Sequence, residues 1–217
     1  MNEILKSKKI IKILNKLYPS VTTPLKSRNN FTLLISVLLS AQCTDVNVNN
    51  VTKNIYPKYN KPDHFVKLGR KRIERLIKKI GIFRIKAKSI YNLSKILMVN
   101  HNGKVPKTFE ELEKLPGVGH KTASVVMSQG FGYPAFPIDT HIHRLAQRWG
   151  LTSGKNVLQT EKDLKKLFPK NSWNKLHLQI IFYGREFCKA RDCYGLTCKI
   201  CTACYPKRKK PFIAKKP

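Results

Sequence analysis

Acidic residues are scarce in this chain of 217 residues. Asp and Glu together number 12 against 43 Lys and Arg, which gives a formal net charge of +31. Because so few carboxylates balance the cations, and because basic residues occur along the whole chain, the composition favours a polyanionic partner over a merely solubilising surface. A membrane surface is the weaker alternative.

Long apolar runs are also missing. The longest, from Phe31 to Ala41, is about half of the roughly 20 residues that a bilayer-spanning helix needs. Charged residues are distributed throughout Met1 to Leu17, which predicts an amphipathic helix and not the apolar core and cleavage site of a signal peptide. We therefore expect a cytosolic protein that does not enter the membrane.

No segment shows sustained alternation of apolar and polar residues, and neither internal repeats nor low-complexity linkers occur. Apolar residues recur instead at helical spacing, for example from Ile73 to Ile80 and from Ile90 to Leu97. The pattern predicts an all-α fold. Glycines stand where these runs would end, at positions 69, 81, 103 and 150.

The segment from Leu115 to Ala123, LPGVGHKTA, contains a turn with two glycines between two predicted helices. We expect Gly117 and Gly119 to adopt positive φ and to bring backbone N–H groups close to an anion. The flanking helices are predicted over 109–115, stopped by Pro116, and over 123–127. Together they form a helix–hairpin–helix of about residues 109–127, a motif that grips a nucleic-acid backbone without reading its sequence.

Lys121 follows this turn, at the N-terminal end of the second predicted helix. A cation there opposes the helix dipole, so selection for stability alone would avoid it. The lysine is therefore a candidate for chemistry, and a simple phosphate contact is the alternative.

Five of the six cysteines lie between Cys188 and Cys204. In a reducing compartment such clustering favours a metal centre over disulfides. The spacing of Cys198, Cys201 and Cys204 suits either tetrahedral zinc or an iron–sulfur cluster, and unliganded redox thiols are the remaining alternative. Cys43, which stands apart, is interpreted as a small buried side chain.

Four motifs, taken in order, resemble the endonuclease III family of DNA glycosylases with AP-lyase activity. They are LSAQ at 39–42, LPGVGHKTA at 115–123, IDTH at 138–141 and YGREFC at 183–188. The resemblance covers nearly the whole chain.

The resemblance implies two helical domains with DNA bound across the cleft between them. A six-helix domain would span about residues 21–133 and include the helix–hairpin–helix. Residues 1–20 and 134–217 would form the second domain, with a 4Fe–4S cluster in the loop at 188–204.

Two catalytic residues are implied by the same resemblance, with Lys121 as the nucleophile and Asp139 as the carboxylate. A neutral amine that attacks C1′ of the sugar gives a Schiff base, which permits β-elimination of the 3′ phosphate. A helix N-terminus and a desolvated cleft would both favour the neutral amine. Taken alone, Asp139 before Thr140 would be interpreted as a helix N-cap, and it could both cap and catalyse.

The implied DNA contacts follow from the same motifs. Gln42 would fill the gap left by an extruded base, and Ile82 would wedge the opposite strand, although core packing is the alternative for Ile82. His141 is interpreted as a DNA contact or a support to the site, with a structural role equally possible on its own merits. The predicted DNA-binding residues are thus Gln42, Ile82, Gly117, Val118, Gly119 and His141.

The cysteine spacing departs from the family pattern, Cys-x6-Cys-x2-Cys-x5-Cys. From Cys188 the first step reaches Gly195, and from Cys201 the last step reaches Lys207. The chain offers Cys188, Cys198, Cys201 and Cys204 as ligands, with Cys193 as a possible substitute. We expect a 4Fe–4S cluster, with zinc or no metal as alternatives.

The function implied is base-excision repair by a cytoplasmic, bacterial nucleoid-associated monomer. Its partner would be double-stranded DNA with damaged bases or abasic sites, from which it would remove oxidised pyrimidines and then nick the strand. The alternatives are a non-catalytic helix–hairpin–helix DNA-binding module and an adenine mismatch glycosylase. The latter normally lacks the lysine.

Overall fold

The computed structural model describes residues 2–216, and within that range it contains eleven α-helices and no β-strand. The prediction of an all-α fold is confirmed. No helix in the described range is long and apolar enough to cross a membrane. The helices are α1 Glu3–Leu17, α2 Asn30–Ser40, α3 Asp45–Thr52, α4 Pro62–Leu76, α5 Phe83–Asn100, α6 Phe109–Glu113, α7 His120–Val125, α8 Thr140–Trp149, α9 Val157–Leu167, α10 Trp173–Glu186 and α11 Lys199–Cys204.

The chain divides into two compact units, Thr23–Tyr133 and Met1–Thr22 with Pro134–Pro217. Each unit has its own hydrophobic core.

Helix α2 forms the centre of the unit Thr23–Tyr133. Its side chains from Phe31 to Leu39 are all buried, because this helix is apolar on every side. A capping box between Asn29 and Thr32 satisfies the first amides of the helix. Helices α4 and α5 pack along each other, and Gly69 (φ 71°) introduces a kink within α4.

The helix–hairpin–helix lies in the same unit. Thr108 caps α6 by accepting a hydrogen bond from the Glu111 N–H. This helix ends at Glu113, two residues before the predicted end, and α7 begins at His120, three residues before the predicted start. A π-helical segment, Val126–Gly130, continues α7.

The other unit contains α1 and α8 to α11. Helix α8 is capped by Asp139 at its start and ends at Gly150, which adopts a left-handed conformation (φ 66°). Helix α1 packs against α10 and α11, so the N-terminal segment shares a core with the cysteine-rich loop. Trp149 and Tyr183 are among the largest side chains buried there.

Candidate nucleic-acid interface and metal centre

Gly117 shapes the turn between α6 and α7. Its φ is +79°, a region that L side chains avoid. A β-carbon built on Gly117 would lie 2.9 Å from Ser89 Cβ and 3.1 Å from Leu38 Cδ1. Glycine is therefore required both by the backbone conformation and by close packing against α5 and α2.

Gly119 behaves differently from the prediction. It is the N-cap of α7, in extended backbone with φ −96°, and a β-carbon there would meet open space. The expectation of positive φ was therefore correct for Gly117 and wrong for Gly119. The reason is that an N-cap residue adopts the β region, which residues other than glycine also reach.

The start of α7 has no side-chain cap from its N-cap residue, because Gly119 has no side chain. The Val118 N–H instead donates to the Leu115 carbonyl (3.0 Å), and the Val118 side chain is buried. Val118 therefore stabilises the turn internally.

Lys121 is the second residue of α7, and it is exposed. Its neighbour His120 is held against α6, where His120 Nδ1 lies 2.8 Å from Glu113 Oε1 and the imidazole stacks on Phe109. The first turn of α7 thus presents an exposed amine directly after the glycine turn.

Gln42 and Ile82 share an unusual backbone conformation. Both have positive φ, 55° and 50° respectively, which is uncommon for residues other than glycine. Both are also exposed, and 51% of the Ile82 surface is accessible. Ile82 is therefore not a core residue, and backbone strain at exposed side chains is typical of functional sites.

Asp139 is the N-cap of α8. Its Oδ1 accepts a hydrogen bond from the Ile142 N–H at 2.8 Å, and the side chain is half-buried. The capping role that residue type alone favoured is therefore present. The cap bond uses one of the two carboxylate oxygens, Oδ1.

His141 packs against α10. A β-carbon on Gly184 would lie 3.2 Å from His141 Nδ1, so glycine leaves room for the imidazole. The same nitrogen lies 3.3 Å from Arg144 Nη2. His141 therefore has a structural environment in its own unit, whatever else it contacts.

Four buried cysteines come together in the C-terminal loop. The Sγ atoms of Cys188, Cys193, Cys198 and Cys201 all lie within 4.8 Å of one another. Cys204, which the spacing had suggested as a ligand, is outside this group, and Cys193 takes its place. The physical reason is that Cys204 ends α11, whereas the loop before α11 returns Cys193 to within 3.4 Å of the Cys198 amide.

The donor set suits an iron–sulfur cluster or zinc, because four closely spaced buried thiols offer four soft ligands. Cys204 is buried separately, and burial raises the pKa of its thiol to about 11 even though Lys6 and Arg208 act in the opposite direction.

Two arginines of α8 support the cysteine loop. Arg148 is 2% exposed, and its guanidinium donates to Cys188 Sγ (3.2 Å) and to the Lys189 and Ala190 carbonyls. Arg144 donates to the Cys188 carbonyl (3.0 Å), and burial lowers the pKa of the Arg144 guanidinium. Neither arginine could be singled out from the sequence, because α8 is amphipathic and its pattern does not indicate which of its basic residues are buried.

Comparison with known proteins places this arrangement in a family. Residues 35–170 match the HhH-GPD superfamily of base excision DNA repair proteins. The chain is 41% identical over 195 residues to endonuclease III of Bacillus subtilis, covering 89% of each chain. It is 43% identical over 191 residues to endonuclease III of Escherichia coli K12, covering 88% of this chain and 90% of that protein.

Solved structures of endonuclease III match the fold of this chain. A trapped covalent intermediate of endonuclease III with DNA, in an estranged-adenine complex, matches with a TM-score of 0.87 and 41% identity. That match covers 92% of this chain and 94% of the other, as does the match to a non-covalent endonuclease III–DNA complex. With this identity extending over nearly its full length, the chain belongs to the endonuclease III family of the HhH-GPD superfamily.

Proposed function

We propose that this member of the family removes oxidised pyrimidines from double-stranded DNA through a Schiff base on Lys121 and then nicks the abasic site. The proposal rests on Lys121, whose exposed amine lies at the second position of α7, directly after the Gly117 turn. The turn and the uncapped helix start suit a DNA phosphate, which would bring the sugar within reach of the amine.

The chemistry follows from the amine. The neutral Lys121 Nζ attacks C1′ of the damaged nucleotide, and the N-glycosidic bond breaks as the base leaves. The proton that the nitrogen loses goes to the departing base. The C1′–O4′ bond then breaks, with a proton taken up by O4′, and the open-chain iminium acidifies the C2′ hydrogen, so that loss of this proton expels the 3′ phosphate. Water then hydrolyses the imine and frees the lysine. A hydroxyl or water in place of Lys121 could release the base but could not form the imine.

Asp139 supplies the carboxylate. A negative charge stabilises the oxocarbenium character that develops as the glycosidic bond breaks. Capping of α8 through Oδ1 fixes the side-chain rotamer, so the carboxylate is held in place before the substrate binds. Capping and catalysis are therefore compatible roles for Asp139.

Gln42 and Ile82 act on the duplex. A base must leave the stack to be attacked, and unstacking is offset when side chains occupy the space left behind. The exposed positions and left-handed backbones of Gln42 and Ile82 support insertion of Gln42 into that gap and of Ile82 against the opposite strand. Gly117 and Gly119 would contact the backbone, with Val118 stabilising their turn and His141 contacting DNA or supporting the site.

The metal centre is proposed to be a 4Fe–4S cluster held by Cys188, Cys193, Cys198 and Cys201. The grouping of their Sγ atoms supports this set. When bound, the cluster supplies four metal–thiolate bonds that close the loop after α10. Arg148 adds a hydrogen bond to one ligand, which stabilises the thiolate.

The substrate is double-stranded DNA with damaged bases or abasic sites, and the protein acts on it as a monomer associated with the bacterial nucleoid. The comparisons do not favour a non-catalytic DNA-binding module or an adenine mismatch glycosylase.

Borohydride trapping tests the proposal. The purified protein is mixed with a duplex that carries one oxidised pyrimidine, in the presence of borohydride, which reduces an imine to a stable amine. We expect a covalent protein–DNA adduct, and strand cleavage when borohydride is omitted. Tight binding with neither adduct nor cleavage would refute the proposed function and support a binding module.

A further inference from the structure

Lys86 is a buried lysine in the first turn of α5. Only 4% of its surface is exposed, which is rare for this residue type. Its Nζ donates hydrogen bonds to the Leu39 carbonyl (2.9 Å) and the Ala41 carbonyl (2.6 Å). Both acceptors lie at the C-terminal end of α2, where the helix dipole favours a cation.

Burying this amine has a cost, because taking a cation out of water is unfavourable and burial lowers the pKa of Lys86. An apolar side chain of similar length would fill the same space without that cost. The amine does what an apolar side chain could not: it hydrogen-bonds the Leu39 and Ala41 carbonyls and so fixes their position.

Those carbonyls belong to the turn that carries Gln42, because Ala41 immediately precedes it. The backbone N–H of Lys86 donates to the Ile82 carbonyl at 3.2 Å. The side chain of Lys86 thus binds the turn that contains Gln42, and its main chain binds the turn that contains Ile82. These are two of the few non-glycine residues in the described range with positive φ.

Asn47 makes a second connection between the same turns. Its Nδ2 lies 3.2 Å from Cys43 Sγ, next to Gln42, and 3.2 Å from the Lys79 carbonyl, in the turn before Ile82. A β-carbon on Gly81 would lie 3.9 Å from the Gln42 carbonyl oxygen. The two turns are therefore in contact and are joined on both sides.

We propose that Lys86, assisted by Asn47, is a positioning residue that fixes the spacing between Gln42 and Ile82, so that both side chains enter the duplex together. The inference rests on the proposed function, because Gln42 and Ile82 matter only if a base is extruded. A loose connection would let one turn move without the other and would slow extrusion, not the chemistry at Lys121.

The test compares two substrates on the metal-loaded, full-length protein. One is a duplex with an oxidised pyrimidine, in which a base must leave the stack. The other is a single strand with an abasic site, which has no base to extrude and no opposite strand. The variant Lys86→Met removes the amine but keeps the length of the side chain, and Lys88→Met is the control, because Lys88 is exposed on the same helix.

We expect Lys86→Met to lower kcat on the lesion duplex about 10- to 100-fold, as misplacement of groups by about an ångström does. Lyase activity on the abasic single strand should stay within about twofold of the parent protein, and Lys88→Met should match the parent on both substrates. In a Gln42→Ala background, Lys86→Met should have a much smaller effect on the duplex, because coupled residues are non-additive.

Equal losses on the two substrates, or an undiminished effect in the Gln42→Ala background, would overturn the positioning role. If Lys86→Met does not fold, Asn47→Ala provides the test instead. We expect it to impair the reaction on the lesion duplex and not the reaction on the abasic single strand. Failure of the parent protein on both substrates would instead refute the proposed function.

Discussion

At the scale of single residues, Asp139 caps α8, and the proposed function also requires its negative charge; substitutions can separate these two roles. Asn caps a helix as well as Asp does, so Asp139→Asn should change the free energy of unfolding by less than about 0.5 kcal/mol, whereas Asp139→Ala should cost about 1 kcal/mol. Both variants should lose glycosylase activity, because both lose the negative charge. Denaturant unfolding and single-turnover excision measure the two effects. An active Asp139→Asn enzyme would show that Asp139 only caps.

Some candidate residues can be proposed from the sequence alone, and others become apparent only in the structure. Lys121 and Asp139 could be proposed as catalytic residues from the sequence, because Lys121 stands where stability does not favour a cation and both residues lie in motifs that resemble the family. Lys86 and Arg148 could not, because the sequence contains 43 Lys and Arg and does not indicate which are buried. Ile82 looked like a possible core residue, since an apolar side chain is usually buried, and only its left-handed backbone and 51% exposure exclude this.

At the scale of elements, the two glycines of the hairpin should respond differently to alanine. Gly117→Ala places a side chain at φ +79° and against Ser89 and Leu38, so we expect a loss of at least about 2 kcal/mol in unfolding free energy. Gly119→Ala meets open space at an N-cap and should cost about 0.5–1 kcal/mol. Thermal unfolding of the two variants provides the comparison. Equal losses would contradict the assigned geometry of the turn.

The cysteine loop offers a second test at this scale. Anaerobically purified Cys193→Ser should lose iron and the absorbance in the visible blue, because it removes one of the four grouped thiols proposed to hold the cluster. Cys204→Ser is the matched control and should retain both. Metal analysis distinguishes iron from zinc in the parent protein. If Cys204→Ser lost iron and Cys193→Ser retained it, the ligands would instead be the set that the spacing suggests, Cys188, Cys198, Cys201 and Cys204.

Helices were predicted best where the apolar periodicity and the helix-ending residues indicate the same boundaries. The run from Ile90 to Leu97 lies in α5, and Gly150 ends α8 as expected, whereas the run from Ile73 to Ile80 extends beyond α4, which ends at Leu76. Boundaries near the hairpin shifted by two or three residues, because Pro116 does not stop α6 directly and Gly119 belongs to the start of α7. Which cysteines meet depends on how the loop folds back, and spacing does not encode this.

At the scale of the whole molecule, the net charge of +31 predicts strongly salt-dependent binding to any duplex. The logarithm of the binding constant should fall linearly with the logarithm of salt concentration, with a slope of about −0.9 for each phosphate neutralised. If Lys121 were only a phosphate contact, Lys121→Gln would reduce the slope by about one and leave cleavage largely intact. We expect the slope to be nearly unchanged and cleavage to be lost. Fluorescence anisotropy over a salt series measures the slope.

The attacking residue can be identified directly by mapping the borohydride-reduced adduct. Protease digestion of the trapped complex followed by mass spectrometry should locate the sugar remnant on the peptide that contains Lys121, and Lys121→Gln should give no adduct. An adduct on another lysine or on the N-terminal amine, or an undiminished adduct in Lys121→Gln, would contradict the assignment of Lys121 as the nucleophile.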